Sequence, residues 1–267
     1  MSELDILNSF DGGGASGAAL DPSSRSQLTL SAADIISRTG LPRSSVFRDL
    51  RSLLVSGFVH QDPATKRYTL GPRILELGMA ARRQLSAEGV VAAPLLELVR
   101  QTSESVTFSL LDLPWRVCVY VIEAPSELRH FAQVGARYPL HLGAAGKVIL
   151  AQLPSDVALT TLKTYGVNRA QAAEITGQLE LIRAKGYAIT TGERVAGSAS
   201  AAAPVFVGGD IFGSVAVAGP TQRISPLLER YRRLVIEVAR DLSSRLSSRA
   251  PDGSTAPPKR LAAPPRK

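Results

Sequence analysis

This chain of 267 residues has one cysteine, Cys118, so no disulfide can form within it, and a reducing, cytoplasmic setting is expected. Cys118 sits inside the apolar run 117–122, where a thiol is usually inert. Histidine is nearly as scarce. His60, His130 and His141 lack any paired-ligand spacing, so no metal site is expected. No run approaches the eighteen apolar residues of a membrane span. The first residues carry Glu3 and Asp5 with no apolar core, which does not read as a secretory leader. There is no G-x-S-x-G elbow and no internal repeat, so enzymatic chemistry has no positive support and no cofactor is expected. Acidic residues are the minority, 23 against 31 Lys and Arg, and the net charge of +8 favours an anionic partner.

Part of that positive excess has a plain source. Residues 249–267 hold five cations, one aspartate and five prolines with few apolar anchors, and read as a disordered basic tail. The rest is concentrated elsewhere: residues 43–83 carry eight cations against three carboxylates.

That basic stretch overlaps a recognisable unit. Ser31-Ala32-Ala33-Asp34 is a capping box, opening a helix that carries Ile35 and Ile36 and stops at Thr39-Gly40. Leu41-Pro42 restarts a second helix, giving a helix-turn-helix. On the second helix Val46, Leu50, Leu53 and Leu54 share one arc and are expected to pack inward. Arg43, Ser44, Ser45, Arg48, Arg51 and Ser52 fall outside that arc. Small hydroxyls permit close approach to duplex DNA, and arginine grips phosphate or a guanine edge with two donors. Residues 58–61, 62–65 and 66–70 then read as strand, turn and strand. This hairpin is a wing that carries Lys66 and Arg67 towards the DNA backbone or minor groove.

The remainder is expected to be a separate α+β domain. Residues 4–10 suggest a short first helix, and 11–27 a glycine-rich loop. A helical pattern over 72–87 reads as a linker, dividing a DNA-binding domain (1–71) from a second domain (88–248). Within the second domain, strands are expected at 106–111, 117–122, 128–134, 187–191, 204–207 and 211–218. Helices are expected near 95–99 and at 143–153, 170–185 and 226–246. Gly143-Ala144-Ala145-Gly146-Lys147 resembles a phosphate-binding loop but fails it, lacking glycine at His141 and a hydroxyl at Val148. Close helix–sheet packing is the plainer reading there, and His141 reads as structural.

Taken in order, several short motifs resemble one family from residue 3 to 246. They are Leu4-Asp5-Ile6-Leu7, Thr39-Gly40-Leu41-Pro42-Arg43-Ser44-Ser45, Tyr68-Thr69-Leu70-Gly71, 135–141, 143–147, Lys185-Gly186-Tyr187-Ala188, Gly192-Glu193, 202–206 and Gly219-Pro220. The chain resembles the IclR-type bacterial transcriptional regulators. The resemblance implies a winged helix-turn-helix, a linker helix and a GAF-like effector-binding domain, assembled as a homodimer or homotetramer on palindromic double-stranded promoter DNA. It further implies a small-molecule effector, an organic acid, and a repressor in preference to an activator. Carried over by motif, Ala144 and Ala145 would donate amides, and Thr190, Ser200, Ala216 and Ala218 would line the walls. The chain departs from the pattern at the long loop 11–27 and at Ser198-Ala199, where many relatives have arginine. It departs again at Ala216 and Ala218, where some have hydroxyls, which points to a less polar ligand. The alternative is a DNA-binding protein whose second domain only oligomerises.

Overall fold

The computed structural model describes residues 2–10, 29–86 and 90–248. The expected loop 11–27 and the basic tail 249–267 lie outside the described residues, as do the side chains of Arg82 and Arg83. The chain divides into two units, Met1–Leu85 and Ser86–Lys267.

The first unit contains helices α1 (Ser2–Ser9), α2 (Ala32–Thr39) and α3 (Arg43–Val55), strands β1 (Val59–Gln61) and β2 (Tyr68–Leu70), and helix α4 (Pro72–Ser86). The cap of α2 is reciprocal: Asp34 N–H donates to Ser31 Oγ at 3.1 Å, and Ser31 N–H to the Asp34 carboxylate at 2.8 Å. Gly40 ends the helix at φ 65°, where a side chain would be strained. Pro42 occupies the cap of α3, one residue before the helix, so its missing N–H costs nothing. Ile6, Phe10, Ile35, Val46, Leu50, Leu53, Val59 and Tyr68 close one core. β1 and β2 pair antiparallel from Val59↔Leu70 to Gln61↔Tyr68, and Leu30 adds a bridge to Tyr68. On α4, Leu75, Leu77 and Met79 are 67%, 44% and 52% exposed, so the described residues leave these side chains largely uncovered.

The second unit is built on a six-stranded antiparallel sheet. In chain order come α5 (Ala92–Thr102), β3 (Ser105–Asp112), β4 (Trp115–Ile122), β5 (Arg137–Pro139), α6 (Ala144–Leu150), α7 (Ser155–Thr164), α8 (Arg169–Lys185), β6 (Ala188–Thr191), β7 (Ser198–Val207), β8 (Asp210–Pro220), α9 (Thr221–Ile224) and α10 (Leu228–Ser247). The strand order is β5-β4-β3-β8-β7-β6. The two faces are unlike. Leu95 and Leu98 of α5 and Tyr231, Val235, Ala239 and Leu242 of α10 pack with Ala201, Ala203, Val205, Val215 and Val217. Between those strand residues lie Ala202 and Ala216, which pack with Ala144, Ala145 and Val148 of α6. The two-residue period of a strand thus puts Val205, Val215 and Val217 on one face and only small residues of β7 and β8 under α6. Gly146 lets α6 sit close, since a Cβ there would stand 2.6 Å from the Leu140 carbonyl oxygen.

Three expectations require correction. Residues 128–134 are not a strand. Their large apolar members, Leu128, Phe131 and Val134, are all exposed, so the segment lacks the buried face that a strand of this sheet would need. β5 instead pairs with Trp115–Val117 of β4. α7 was not anticipated, although Ala158, Thr161 and Leu162 supply a helical buried stripe. β7 begins at Ser198, ahead of the expected 204, because its early inward positions are alanines, which carry little strand preference. No described helix is long and apolar enough to cross a membrane.

Candidate functional site

Helix α3 keeps the segregation that its periodicity demands. Val46, Leu50 and Leu53 are buried, Leu54 is half-buried, and Arg43, Ser44, Arg48, Arg51 and Ser52 are exposed. Ser45 is half-buried. The Arg48 side chain is 75% exposed, with its Nε 3.2 Å from the buried Asp49 carboxylate. That contact anchors the base of the guanidinium and leaves its other nitrogens outward. Phe47, which the sequence reading missed, is 42% exposed, with the Arg43 guanidinium 5.5 Å above its ring. An aromatic there is not needed by the core, and its exposure was the available signal.

At the wing, Asp62 Oδ1 accepts the amides of Ala64 and Thr65 at 2.9 and 2.7 Å and tightens the turn. Lys66 sits in the left-handed region at φ 58° and is exposed. Arg67 behaves differently. Its guanidinium donates to Thr29 O at 2.8 Å and reaches the Asp34 carboxylate at 3.3 Å, tying the hairpin to the start of α2. The outward cation of this pair is therefore Lys66.

The second unit brings Ala144, Ala145, Thr190, Ser200, Ala216 and Ala218 to the wall of one partly open cavity. Ala144 N–H is already engaged, donating to Thr190 Oγ1 at 2.9 Å, and that hydroxyl stands 3.1 Å from Ser200 Oγ. Gly143 N–H donates to one carboxylate oxygen of Glu193 at 3.0 Å. The buried Lys147 ammonium binds the other oxygen at 2.5 Å and Gln178 at 2.8 Å. These bonds hold the Gly143–Lys147 turn against the loop after β6.

The same cavity is lined by Thr107, Arg116 and His130, which the sequence reading did not place there, and by Glu193 and Arg194 of the loop after β6. Arg116 is 5% exposed. Its register partner across β4 and β5 is Tyr138, and its guanidinium carbon lies 4.7 Å from that ring's centroid. The Arg194 guanidinium carbon is also 4.7 Å from the Tyr138 ring, and Arg194 contacts Nε2 of His130. One Arg116 nitrogen donates to Ser109 Oγ at 2.9 Å, while its buried Nε has no acceptor. Among the described residues no carboxylate lies within 4.0 Å of either guanidinium, although neighbouring Arg137 and Arg223 both have one.

Burial, with the charge of the two guanidiniums, perturbs several groups here. Burial, then the positive charge of Arg194, pushes Arg116 down to about 10. Burial, then Arg194 and Arg116, pushes His130 down to about 4, so its ring is neutral near pH 7. Burial lowers His141, and burial raises the Cys118 thiol, which is the reverse of what a nucleophile needs. Arg116 was legible in principle. A lone cation inside Trp115–Ile122, in phase with the buried Cys118 and Tyr120, is a costly thing for a strand to carry.

Comparison with known proteins agrees with this architecture. The family described as "IclR helix-turn-helix domain" matches residues 4–63, and "Bacterial transcriptional regulator IclR C-terminal" matches residues 82–244. The chain belongs to the IclR family. It is a transcriptional regulator, not an enzyme. It is 34% identical over 233 residues to the glycerol operon regulatory protein of Streptomyces griseus, covering 80% of this chain and 89% of that one. The fold of this IclR-family chain is shared with a putative IclR transcriptional regulator from Silicibacter sp. TM1040. Their TM-score is 0.76 at 22% identity, over 94% of this chain and 98% of that one. It is likewise shared with an IclR homolog from Microbacterium hydrocarbonoxydans complexed with 4-hydroxybenzoate. There the TM-score is 0.70 at 18% identity, over 92% of this chain and 99% of that one.

Proposed function

We propose that this regulator binds palindromic promoter DNA as a homo-oligomer and releases or retightens that grip when a small organic acid enters the cavity of the second unit. The carrying observation is the buried Arg116 guanidinium, which lines the cavity with no carboxylate partner. A buried unpaired charge costs several kcal/mol, and an acid in the cavity removes that cost. This supports a charged effector over the less polar ligand that Ala216 and Ala218 alone suggested. The Microbacterium homolog, whose ligand carries a carboxylate, is consistent with it.

For DNA, the reading rests on the exposed Arg43, Ser44, Arg48 and Arg51 of α3 and on Lys66 at the wing, with Ser45 beside them. Phe47 adds an apolar surface suited to a thymine methyl group. Arg67 serves by fixing the hairpin. Self-association is supported by Leu75 and Met79 of α4, exposed one turn apart on the same helix face and suited to a symmetric copy. A two-fold dimer would present its two α3 helices to half-sites about one DNA turn, ~34 Å, apart.

The test is footprinting on the intergenic DNA beside the gene, with and without a panel of carboxylic acids. A protected two-fold site whose occupancy changes with one acid is the expected result. Protection indifferent to a broad panel would instead favour a second domain that only oligomerises.

A further inference from the structure

We infer that the ligand of this cavity is a small dianion, a dicarboxylate or a phosphomonoester, gripped by Arg116 and Arg194 together. The inference rests on the cavity being the effector site and adds the charge that the effector must carry. Four charge-capable side chains line the cavity: Arg116, His130, Glu193 and Arg194. Glu193 is spent on Lys147 and the Gly143 amide. His130 is neutral near pH 7, since the two arginines and burial hold it so. What remains is two guanidiniums, each 4.7 Å from one tyrosine ring, the charge of Arg194 helping to lower Arg116, with no carboxylate paired to either among the described residues.

Several other arginines of this domain do have a carboxylate beside them. Arg137 has Asp112 at 2.8 Å, Arg129 has Glu123 at 2.8 Å, and Arg223 holds both oxygens of the buried Glu104. Tyr138 offers both cations an aromatic ring, but a ring carries no net charge and does not neutralise them. A monoanion would balance one guanidinium and leave the other repelled. Two negative charges on one small molecule balance both. The planar fork of arginine suits either the carboxylate or the phosphate geometry. The hydroxyls of Thr107, Thr190 and Ser200 remain on the wall for polar groups of the same ligand.

The experiment is titration calorimetry on the full chain with malonate, succinate and methyl phosphate. Each is matched to a monoanion: propanoate, monomethyl succinate and dimethyl phosphate. A pH of about 7.5 keeps the second phosphate proton off, its pKa being near 6. At least one dianion is expected to bind about tenfold or more tightly than its matched monoanion. Whether the preferred dianion is a carboxylate or the phosphate distinguishes the two sources. Arg194→Gln is expected to erase the preference while keeping monoanion binding through Arg116, and Arg194→Lys, which retains charge, to restore part of it. If Arg194→Gln proves unfolded by circular dichroism, the lysine variant against wild type carries the comparison, with the dianion's lead narrowed but not abolished. Monoanions that bind as tightly as their partners overturn the inference and leave the acid-sensing reading intact. Six compounds that all fail to bind at millimolar concentration sink both.

Discussion

Replacing Arg116 by methionine should stabilise the ligand-free protein, an unusual outcome for a buried side chain. Methionine follows the arginine stem and adapts to irregular space. The guanidinium is pushed down to about 10, well below its ordinary value, chiefly by burial. At about 1.4 kcal/mol per unit, the charged form is disfavoured by roughly 3 kcal/mol. Against that gain stand the hydrogen bond to Ser109 and the stacking on Tyr138, worth about 1 kcal/mol each. The balance is a gain of about 1 kcal/mol, or about 2–4 °C in Tm for a domain of this size. Urea unfolding and thermal melts of the full chain, without added acid, measure it. Arg137→Met, on an exposed residue paired with Asp112, is the surface control and should change little. The same Arg116 variant should lose the thermal shift caused by any acid that stabilises the wild type. A destabilisation of more than about 2 kcal/mol would refute the reasoning, because the guanidinium would then be a satisfied structural group and not one awaiting a ligand.

Three further outcomes follow from the same geometry. Arg48→Ala should weaken specific promoter binding by about 1–3 kcal/mol if that arginine reads a base, with an unchanged circular dichroism spectrum; unaltered affinity in fluorescence anisotropy would remove Arg48 from the interface. Gly71→Ala should destabilise the first unit severely, since its Cβ would stand 2.2 Å from the Gly57 carbonyl oxygen; an unshifted urea midpoint would contradict the close approach of those two backbones. The third concerns pH. His130 titrates near 4 in the fold and near 6.5 when unfolded. The unfolded chain therefore binds more protons between those values, so stability is present above 6.5 and falls as pH drops towards 4. The loss has a ceiling of about 3 kcal/mol. His130→Gln should flatten that part of the profile, and identical wild-type and variant curves from pH 6.5 to 4.5 would count against it.

Much of the first unit was legible because its signals are local. A capping box, a glycine at a left-handed turn and a 3.6-residue apolar period each act within a few residues, and all describe α2 and α3 well. Arg67 shows the limit. Adjacent to Lys66 in sequence, it looked equivalent, but its partners Thr29 and Asp34 lie over thirty residues away. In the second unit the wall positions Thr190, Ser200, Ala216 and Ala218 came from family motifs and do meet in one cavity. Composition and periodicity alone would not have assembled them.

The sequence by itself determined the two-part organisation and the segregated faces of α3, because the helical period decides which side chains share a side. Only the tertiary structure decided the charge of the cavity. Arg116 and Arg194 are 78 positions apart in sequence, on β4 and on the loop between β6 and β7. They reach the same tyrosine because β5 pairs with β4 and the loop after β6 folds back on the same site. Whether a cation is exposed and paired, or buried without an anion, depends on neighbours that the chain brings together only when it folds.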